Sequence, residues 1–419
     1  MDKKRILLII IFITVCILLG FAIYFVFFKK SPNINTNVPV DNTGTTENTF
    51  PSVSGNNGTS NNVTNITNNT QNNNNNNINN VQTLQDLLNS RFETTQAKNL
   101  VNKLTELDIM DVSPASGNGL RFYNKQDGKF YKISSDGTII PMSNTVFFGV
   151  ANVTWSAQTD VSIIEYPDGA NIYYNFKTGE QVTLPQHWQD FSFAKDGSQI
   201  AAESIGIDPD NRWLITSDPT GKNIKLIEPL GENADKVIVD WSPNRQVLAF
   251  SATGEAMGSD RQQILAIGLN HENYKGLEVE GRGLEFEWSN DGSKLLHSVY
   301  SSQSNYKPQL WIVDATPDTM GNNRKNLNIN TWASKCTMED SRFIYCGVPT
   351  SIETGAGFAP EINNEIPDEI YKIDTQTGIK TLIPTDGTHN INTMNISEDG
   401  TTLYFTDTNQ TGIFDIPIK

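Results

Sequence analysis

The chain has 419 residues, of which 37% are hydrophobic, and its formal net charge is −16. Without the N-terminal segments described below, roughly 320 residues remain, which is enough for one large or two ordinary domains. The acidic balance argues against a nucleic-acid partner, because contacts with a phosphate backbone require a basic stripe and the sequence has none.

Residues 6–28 form an unbroken apolar run without a charged side chain, and cations flank both ends. As a helix the run would be about 34 Å long, enough to cross the ~30 Å hydrocarbon core. A cleaved signal peptide has a shorter apolar region that ends at a small-residue site, which this run lacks. The extra cations in the tail, residues 1–5, predict a cytoplasmic N-terminus and a single-pass protein whose bulk lies outside the cytoplasm.

Residues 31–82 consist mainly of Asn, Thr, Gly and Ser. Such a segment cannot bury enough apolar surface to offset chain entropy, so we predict a disordered linker. Residues 83–99 form a short lead-in with leucines at helical spacing, and residues 100–104 form an apolar run typical of a strand. The sequence therefore predicts an anchor, a linker, and a domain that extends from about residue 83 to the end.

One phrase occurs twice near the centre of the chain, in residues 237–250 and 284–297. Each copy is a short apolar strand ending in Trp-Ser, a polar turn and a second apolar strand, and Trp241 and Trp288 are 47 residues apart. Weaker copies surround these two. The seven equivalent positions are Ser113, Ser156, Ala194, Ser242, Ser289, Met338 and Ser397. A third and a fourth strand follow most of them, which predicts repeated four-stranded units.

Units of four strands and roughly 40–50 residues are typical of the blades of an all-β propeller. The motif resembles the TolB-like, WD-repeat-like β-propeller repeats, whose core reads Trp/Phe-Ser-Pro-Asp-Gly, and Trp241-Ser-Pro-Asn244 and Trp288-Ser-Asn-Asp-Gly292 match it best. Seven blades are expected, or six if the unit of Trp155 merges with its neighbour. The last unit has room for three strands, so we predict that residues 100–104 supply its fourth strand and close the ring.

Cys336 and Cys346 flank one predicted hairpin turn. Nearly opposite positions on antiparallel strands bring Cβ atoms close to disulfide range. A disulfide is therefore predicted if the domain lies in an oxidising compartment, and two buried free thiols are the alternative.

Three neighbouring units have long links between their second and third strands, at residues 253–261, 301–307 and 350–368. In a propeller these links emerge on one face, and long neighbouring loops on one face are typical of a binding surface, although drift in tolerant loops is the alternative. The candidate partner-binding residues are Glu255, Asp260, Tyr306, Phe358, Glu361, Glu365, Asp368 and Glu369. An acidic surface with aromatic side chains suits a basic or peptide partner.

The sequence contains no catalytic, cofactor or metal motif. The four histidines, His187, His271, His297 and His389, fall in different units, and the paired carboxylates Glu285 and Glu287 are expected to be solvated. TolB-like relatives act as interaction modules of the cell envelope. The resemblance therefore implies a non-enzymatic binding or scaffolding module that recognises an envelope protein, a peptide or a glycan. The apolar run has no Gly-x-x-x-Gly, so a monomer is expected. The alternative is a lyase or hydrolase with its site in the axial funnel.

Overall fold

The structure, a computed structural model, describes residues 99–418 apart from 116–118, 135 and 273. The predicted tail, membrane anchor and linker, and nearly all of the lead-in, lie outside the described residues. The described part of the chain contains no helix with the length and apolar character that a membrane crossing needs.

Seven four-stranded antiparallel sheets make up the described residues, as the seven-blade prediction requires. The first strand of the chain, β1 (Asn102–Lys103), belongs to the last sheet. Blades 1 to 3 contain β2 (Ile109–Ala115), β3 (Gly119–Asn124), β4 (Lys129–Ile133), β5 (Ile139–Pro141), β6 (Asn152–Trp155), β7 (Val161–Glu165), β8 (Asn171–Asn175), β9 (Gln181–Leu184), β10 (Trp188–Phe193), β11 (Ile200–Ile205), β12 (Arg212–Ser217) and β13 (Lys225–Pro229).

The remaining blades follow the same order from the innermost strand outward. They contain β14 (Val237–Val239), β15 (Val247–Ser251), β16 (Gln262–Gly268), β17 (Leu277–Val279), β18 (Arg282–Trp288), β19 (Lys294–Tyr300), β20 (Gln309–Asp314), β21 (Lys325–Asn326), β22 (Cys336–Met338), β23 (Phe343–Pro349), β24 (Asp368–Asp374), β25 (Lys380–Ile383), β26 (Ile391–Ile396), β27 (Thr402–Asp407) and β28 (Ile413–Pro417). In the described part of the chain, five short 3-10 helices lie in links: Pro209–Asn211, Gly231–Lys236, Ser302–Ser304, Ala333–Lys335 and Pro360–Asn363.

The motif residues have the structural roles that the repeat predicts. The buried hydroxyl of Ser242 accepts a hydrogen bond from the backbone N–H of Val247 (2.9 Å), and Ser289 accepts one from Lys294 (2.9 Å) in the same turn of the next blade. These bonds satisfy backbone donors inside the turn between the first and second strands. Trp288 stacks on Phe250 of the preceding blade, with ring centroids 5.4 Å apart.

The core lies between the blades rather than within one layer. Seven apolar clusters of described residues fill the seven spaces between neighbouring blades. The second strands supply most of this core, and β3 and β15 are buried along their whole length. Because every blade depends on two neighbours for its apolar contacts, the ring must be complete for the core to be complete.

The ring closes as predicted, by pairing of the two ends of the domain. Asn102 lies opposite Asp415 and Lys103 opposite Phe414, so β1 is the outermost strand of blade 7. The backbone N–H of Leu104 also donates to the carbonyl of Ile413 at 2.8 Å. The strand is shorter than the predicted run of residues 100–104.

Cys336 and Cys346 are directly opposite each other on β22 and β23, and a disulfide joins their sulfur atoms. Both residues are buried. We predict that alkylation of the unfolded, unreduced chain labels neither residue, and that reduction exposes both. A mass spectrum of the tryptic peptides checks this, with the third cysteine, Cys16, as the internal reference. Labelling of Cys336 and Cys346 without reduction would show free thiols instead.

Candidate functional site

The long links between the second and third strands of blades 4, 5 and 6 lie at residues 252–261, 301–308 and 350–367. We call the surface that they form the loop face. Asp260 of the first link accepts hydrogen bonds from the backbone N–H (3.0 Å) and the hydroxyl of Ser302 in the second link. The loop face is therefore one connected surface rather than three separate loops.

The second and third links are joined by backbone hydrogen bonds. Gly355 N–H donates to the carbonyl of Asn305 (3.1 Å), and Gly357 N–H donates to that of Tyr306 (2.8 Å). Asn305 and Tyr306 both have left-handed backbone conformations, with φ of 53° and 55°. Consecutive non-glycine residues in this region are costly, so the surrounding contacts hold the link in a specific shape.

The third link is also attached to blade 7. The side-chain amide of Asn390 donates to the carbonyls of Asn363 (3.3 Å), Asn364 and Ile366 (3.0 Å), and Asn409 donates to Asn364 (2.7 Å). These bonds satisfy carbonyls that the irregular backbone leaves without strand partners. The loop face therefore spans blades 4 to 7.

Apolar side chains remain exposed on this ordered surface. Phe358 is 60% exposed although its ring contacts those of Tyr300 and Tyr306, and Ile362 and Tyr306 are 45% and 42% exposed. The acidic candidates Glu255, Glu361, Glu365 and Glu369 are also exposed. A rigid surface with apolar side chains rimmed by carboxylates is typical of an interaction site.

Two of the sequence candidates are less available to a partner. Asp368 is not a surface residue: its side chain is fully buried and forms an ion pair with Lys335 (2.9 Å). It also accepts a hydrogen bond from Ile391 N–H (2.7 Å) at the start of the next blade. Asp368 therefore joins the end of the third link to the first strand of blade 7. Asp260 is half-buried, and its carboxylate already accepts a hydrogen bond from the backbone N–H of Ser302.

A second concave region lies at the axis of the ring. This axial cavity has a volume of about 990 Å³ and is lined by residues of every blade except blade 4. The Glu287 side chain is exposed to solvent within this cavity, as the sequence predicts for a solvated carboxylate. Desolvation by the surrounding protein, followed by the nearby carboxylates of Asp240 and Glu285, raises the pKa of Glu287 to about 8.

More carboxylates lie where the innermost strands begin. Burial raises the pKa of Asp111 to about 6, and burial with the nearby charge of Asp190 raises the pKa of Glu203 to about 7. Asp111 and Asp190 sit at bulges with φ of 51° and 53°. The sequence did not reveal these carboxylates: Asp190 and Glu203 meet through the pairing of β10 and β11, and Asp111 accepts a hydrogen bond from Val153 N–H of the next blade.

Glu203 provides a test of this electrostatic environment. It is 1% exposed, and among the described residues its Oε1 atom has no hydrogen-bond partner. Because its folded pKa of about 7 lies above the ordinary 4.5, ionisation costs stability above pH 7 and nothing below pH 4.5. We expect Glu203→Gln to raise the free energy of unfolding by up to about 3 kcal/mol at pH 8.5, and by much less at pH 4.5.

Urea unfolding of the full chain at the two pH values measures this difference. Glu180→Gln, in the exposed turn before β9, is the matched control and should change stability little at either pH. An equal effect of Glu203→Gln at both values would contradict the raised pKa.

The histidines are not brought together. His187 precedes β10, His271 follows β16, His297 is buried on β19, and His389 lies before β26 beside Asp407 at 3.4 Å. Among the described residues, no group of three or more His, Cys, Asp or Glu side chains is arranged to hold a metal ion.

The fold is similar to those of several solved structures. An oligogalacturonate lyase in complex with manganese aligns at a TM-score of 0.53 with 12% identity, over 76% of this chain and 93% of the lyase. The Cps50 (Swd1) β-propeller domain of Myceliophteria thermophila aligns at 0.50 with 10% identity, over 76% of this chain and 98% of the domain. The chain is a β-propeller.

The tricorn protease also aligns, at a TM-score of 0.49 with 12% identity, and this chain covers 34% of its length. No family model matches the sequence, and neither does any curated protein. At these identities the likeness is one of fold alone.

Proposed function

We propose that this chain is a membrane-tethered, extracytoplasmic β-propeller that binds an envelope protein, a peptide or a glycan without performing chemistry. The apolar run of residues 6–28 would fix its location, and the linker of residues 31–82 would give it reach. The propeller would act by presenting the loop face to its partner.

One observation carries the proposal: the loop face is held rigid while large apolar side chains stay exposed. Hydrogen bonds between links fix the backbone around Phe358 and Tyr306. Preordered loops lose little conformational entropy on binding, and exposed aromatic side chains are common anchors of protein interfaces. Loops whose sequence had merely drifted would need neither a fixed backbone nor exposed aromatic side chains.

Charge indicates the kind of partner. The three links carry five acidic residues, Glu255, Asp260, Glu353, Glu361 and Glu365, and two basic ones, Arg261 and Lys307. A partner segment with basic residues around an apolar centre would complement this surface.

The test compares the full chain with the variant Phe358→Ser/Ile362→Ser in crosslinking capture from native membranes. The matched control is Ile379→Ser, because Ile379 is 63% exposed in the turn before β25, on the opposite face of the same blade. We expect one partner to be captured by the full chain and the control, and lost with the double variant. Equal capture by all three proteins would overturn the loop-face assignment.

An enzyme with a funnel site is the second candidate, because the raised pKa of Glu287 suits a proton donor at neutral pH. The similarity to an oligogalacturonate lyase supplies a substrate to test. However, the axial carboxylates would repel an anionic oligosaccharide. Cleavage of oligogalacturonate by the full chain with manganese, lost in Glu287→Gln, would favour the enzyme over the binding module.

A further inference from the structure

A lateral groove lies between the outer parts of blades 5 and 6, and its volume is about 400 Å³. Val348 of β23, Tyr371 of β24 and Lys380 of β25 line it on blade 6. Lys380 is directly opposite Ile373, which belongs to the apolar cluster between these two blades, and Tyr371 is two residues from Ile373. Opposed residues, and residues two apart, place their side chains on one face of a sheet, so Tyr371 and Lys380 both face the groove.

The third link of the loop face begins at one end of this groove. Thr350 N–H donates to the carbonyl of Pro367 (2.9 Å), so the pairing of β23 with β24 continues into the link. Thr350 is two residues after Val348, and its exposed side chain therefore lies on the groove side. The opposite wall begins at Asn328, after β21 of blade 5, whose carbonyl accepts a hydrogen bond from Lys380 Nζ at 2.7 Å.

The groove does not share the acidic character of the chain. The formal net charge of the chain is −16, yet the described residues that line the groove include no carboxylate and one cation, Lys380. Glu369, two residues before Tyr371 on the same face of β24, accepts a hydrogen bond from the Tyr371 hydroxyl at 2.7 Å. One cation and one engaged carboxylate thus balance each other at the groove. A neutral ligand complements this arrangement better than a charged one.

The walls combine apolar surface with neutral polar groups. Four exposed lining residues carry an amide or a hydroxyl group, and none of the hydrogen bonds in the described part of the chain involves these side chains: Asn328, Asn330, Thr350 and Ser351. Such groups both donate and accept hydrogen bonds. An apolar surface with a few polar groups, in a volume of about 300–1,000 Å³, is typical of a site for a small molecule.

We propose that the lateral groove binds a neutral sugar residue of an oligosaccharide, with the C–H face of the sugar on the ring of Tyr371. A pyranose ring has an apolar face of C–H groups and a rim of neutral hydroxyl groups that donate and accept, which is the combination that the groove presents. A basic peptide, the partner that suits the acidic loop face, lacks this combination. The groove is a second site beside the loop face and does not depend on the function proposed above.

Isothermal titration of the full chain, in a detergent without a sugar headgroup, tests the proposal with neutral and charged oligosaccharides. The neutral compounds are cellotetraose, maltotetraose and tetra-N-acetylchitotetraose. Tetragalacturonate is the acidic control, and tetraglucosamine is the basic control. We expect at least one neutral compound to bind more tightly than both controls. Binding of no neutral compound, or equally tight binding of a control, overturns the proposal.

Replacing the aromatic ring localises the site. Tyr371→Leu keeps an apolar side chain but removes the ring, and it should weaken sugar binding tenfold or more. The matched control is Tyr131→Leu, because Tyr131 is also half-buried on the third strand of its blade and its hydroxyl donates to the carboxylate of Asp127. Equal weakening by the two variants would show that the ring of Tyr371 does not bind the sugar.

Blocking the groove gives a second, independent test. Thr350→Arg places a long side chain on the groove side and should abolish binding. Its control is Thr408→Arg, because Thr408 is exposed and follows the second strand of blade 7 as Thr350 follows that of blade 6. Since Thr350 is exposed, this variant tests the site even if the unfolding temperature shows that Tyr371→Leu does not fold. Undiminished binding by Thr350→Arg would overturn the site.

The titration contains no membrane partner. Failure of the capture experiment for the loop face and failure of sugar binding are therefore distinguishable.

Discussion

Replacing Gly412 with alanine is expected to open the ring and to lower the free energy of unfolding by about 4 kcal/mol or more. Gly412 lies in the turn before β28 with φ of 100°, a conformation that side chains disfavour. A Cβ atom there would lie 1.8 Å from the carbonyl oxygen of Thr105, in the segment that closes blade 7. The clash is with backbone, so β1 and β28 must separate.

Urea unfolding of the full chain measures this effect, and Gly179→Ala is the matched control. Gly179 also has a left-handed φ, of 73°, but nothing lies within 4 Å of the position that an added Cβ atom would occupy. Gly179→Ala should lower the free energy of unfolding by only about 1–2 kcal/mol, because alanine disfavours the left-handed backbone conformation. Equal losses for the two variants would show that closure by β1 contributes little.

Replacing Arg121 with alanine is expected to destabilise the protein by about 3–5 kcal/mol. Arg121 is 1% exposed in blade 1 and donates to the carbonyls of Thr159 (2.8 Å) and Ser156 in blade 2. Its guanidinium also lies 4.7 Å from the ring centroid of Trp155. Removal would leave the buried carbonyl of Ser156 unsatisfied and a cavity between the two blades.

The control for this prediction is Arg245→Ala. Arg245 pairs with Asp196 between neighbouring turns, but both side chains are about 40% exposed. Such pairs contribute at most about 1 kcal/mol. Thermal unfolding of the two variants should therefore show a much larger fall in melting temperature for Arg121→Ala. A similar, small fall in both would show that Arg121 does not join the blades.

The repeat could be predicted from the sequence because its signals are local. The turn serines, such as Ser242 and Ser289, act within their own hairpins. Trp288 ends β18, and Trp241 follows two residues after the end of β14. The closing strand could be predicted as well, because the last unit supplies three strands and leaves the fourth strand position of its blade to be filled. These features require only the order of strands along the chain.

Contacts between blades could not be predicted in the same way. Asp368 looked like a loop residue, but its side chain is buried and accepts a hydrogen bond from Ile391 N–H of blade 7. Likewise, Glu287 lies near Asp240 only because neighbouring innermost strands converge at the axis. Such proximities depend on the curvature of the ring, which a linear pattern does not contain.

Site-specific photo-crosslinking in native membranes tests directly whether the loop face binds a partner. A photoreactive amino acid is placed in the full chain at Ile362 on the loop face, or at Ile379 on the opposite face of blade 6; both positions are exposed. Binding through the loop face predicts one discrete crosslinked partner from position 362, competed by the unmodified chain, and none from position 379. The same partner from position 379, or none from position 362, would contradict binding through the loop face.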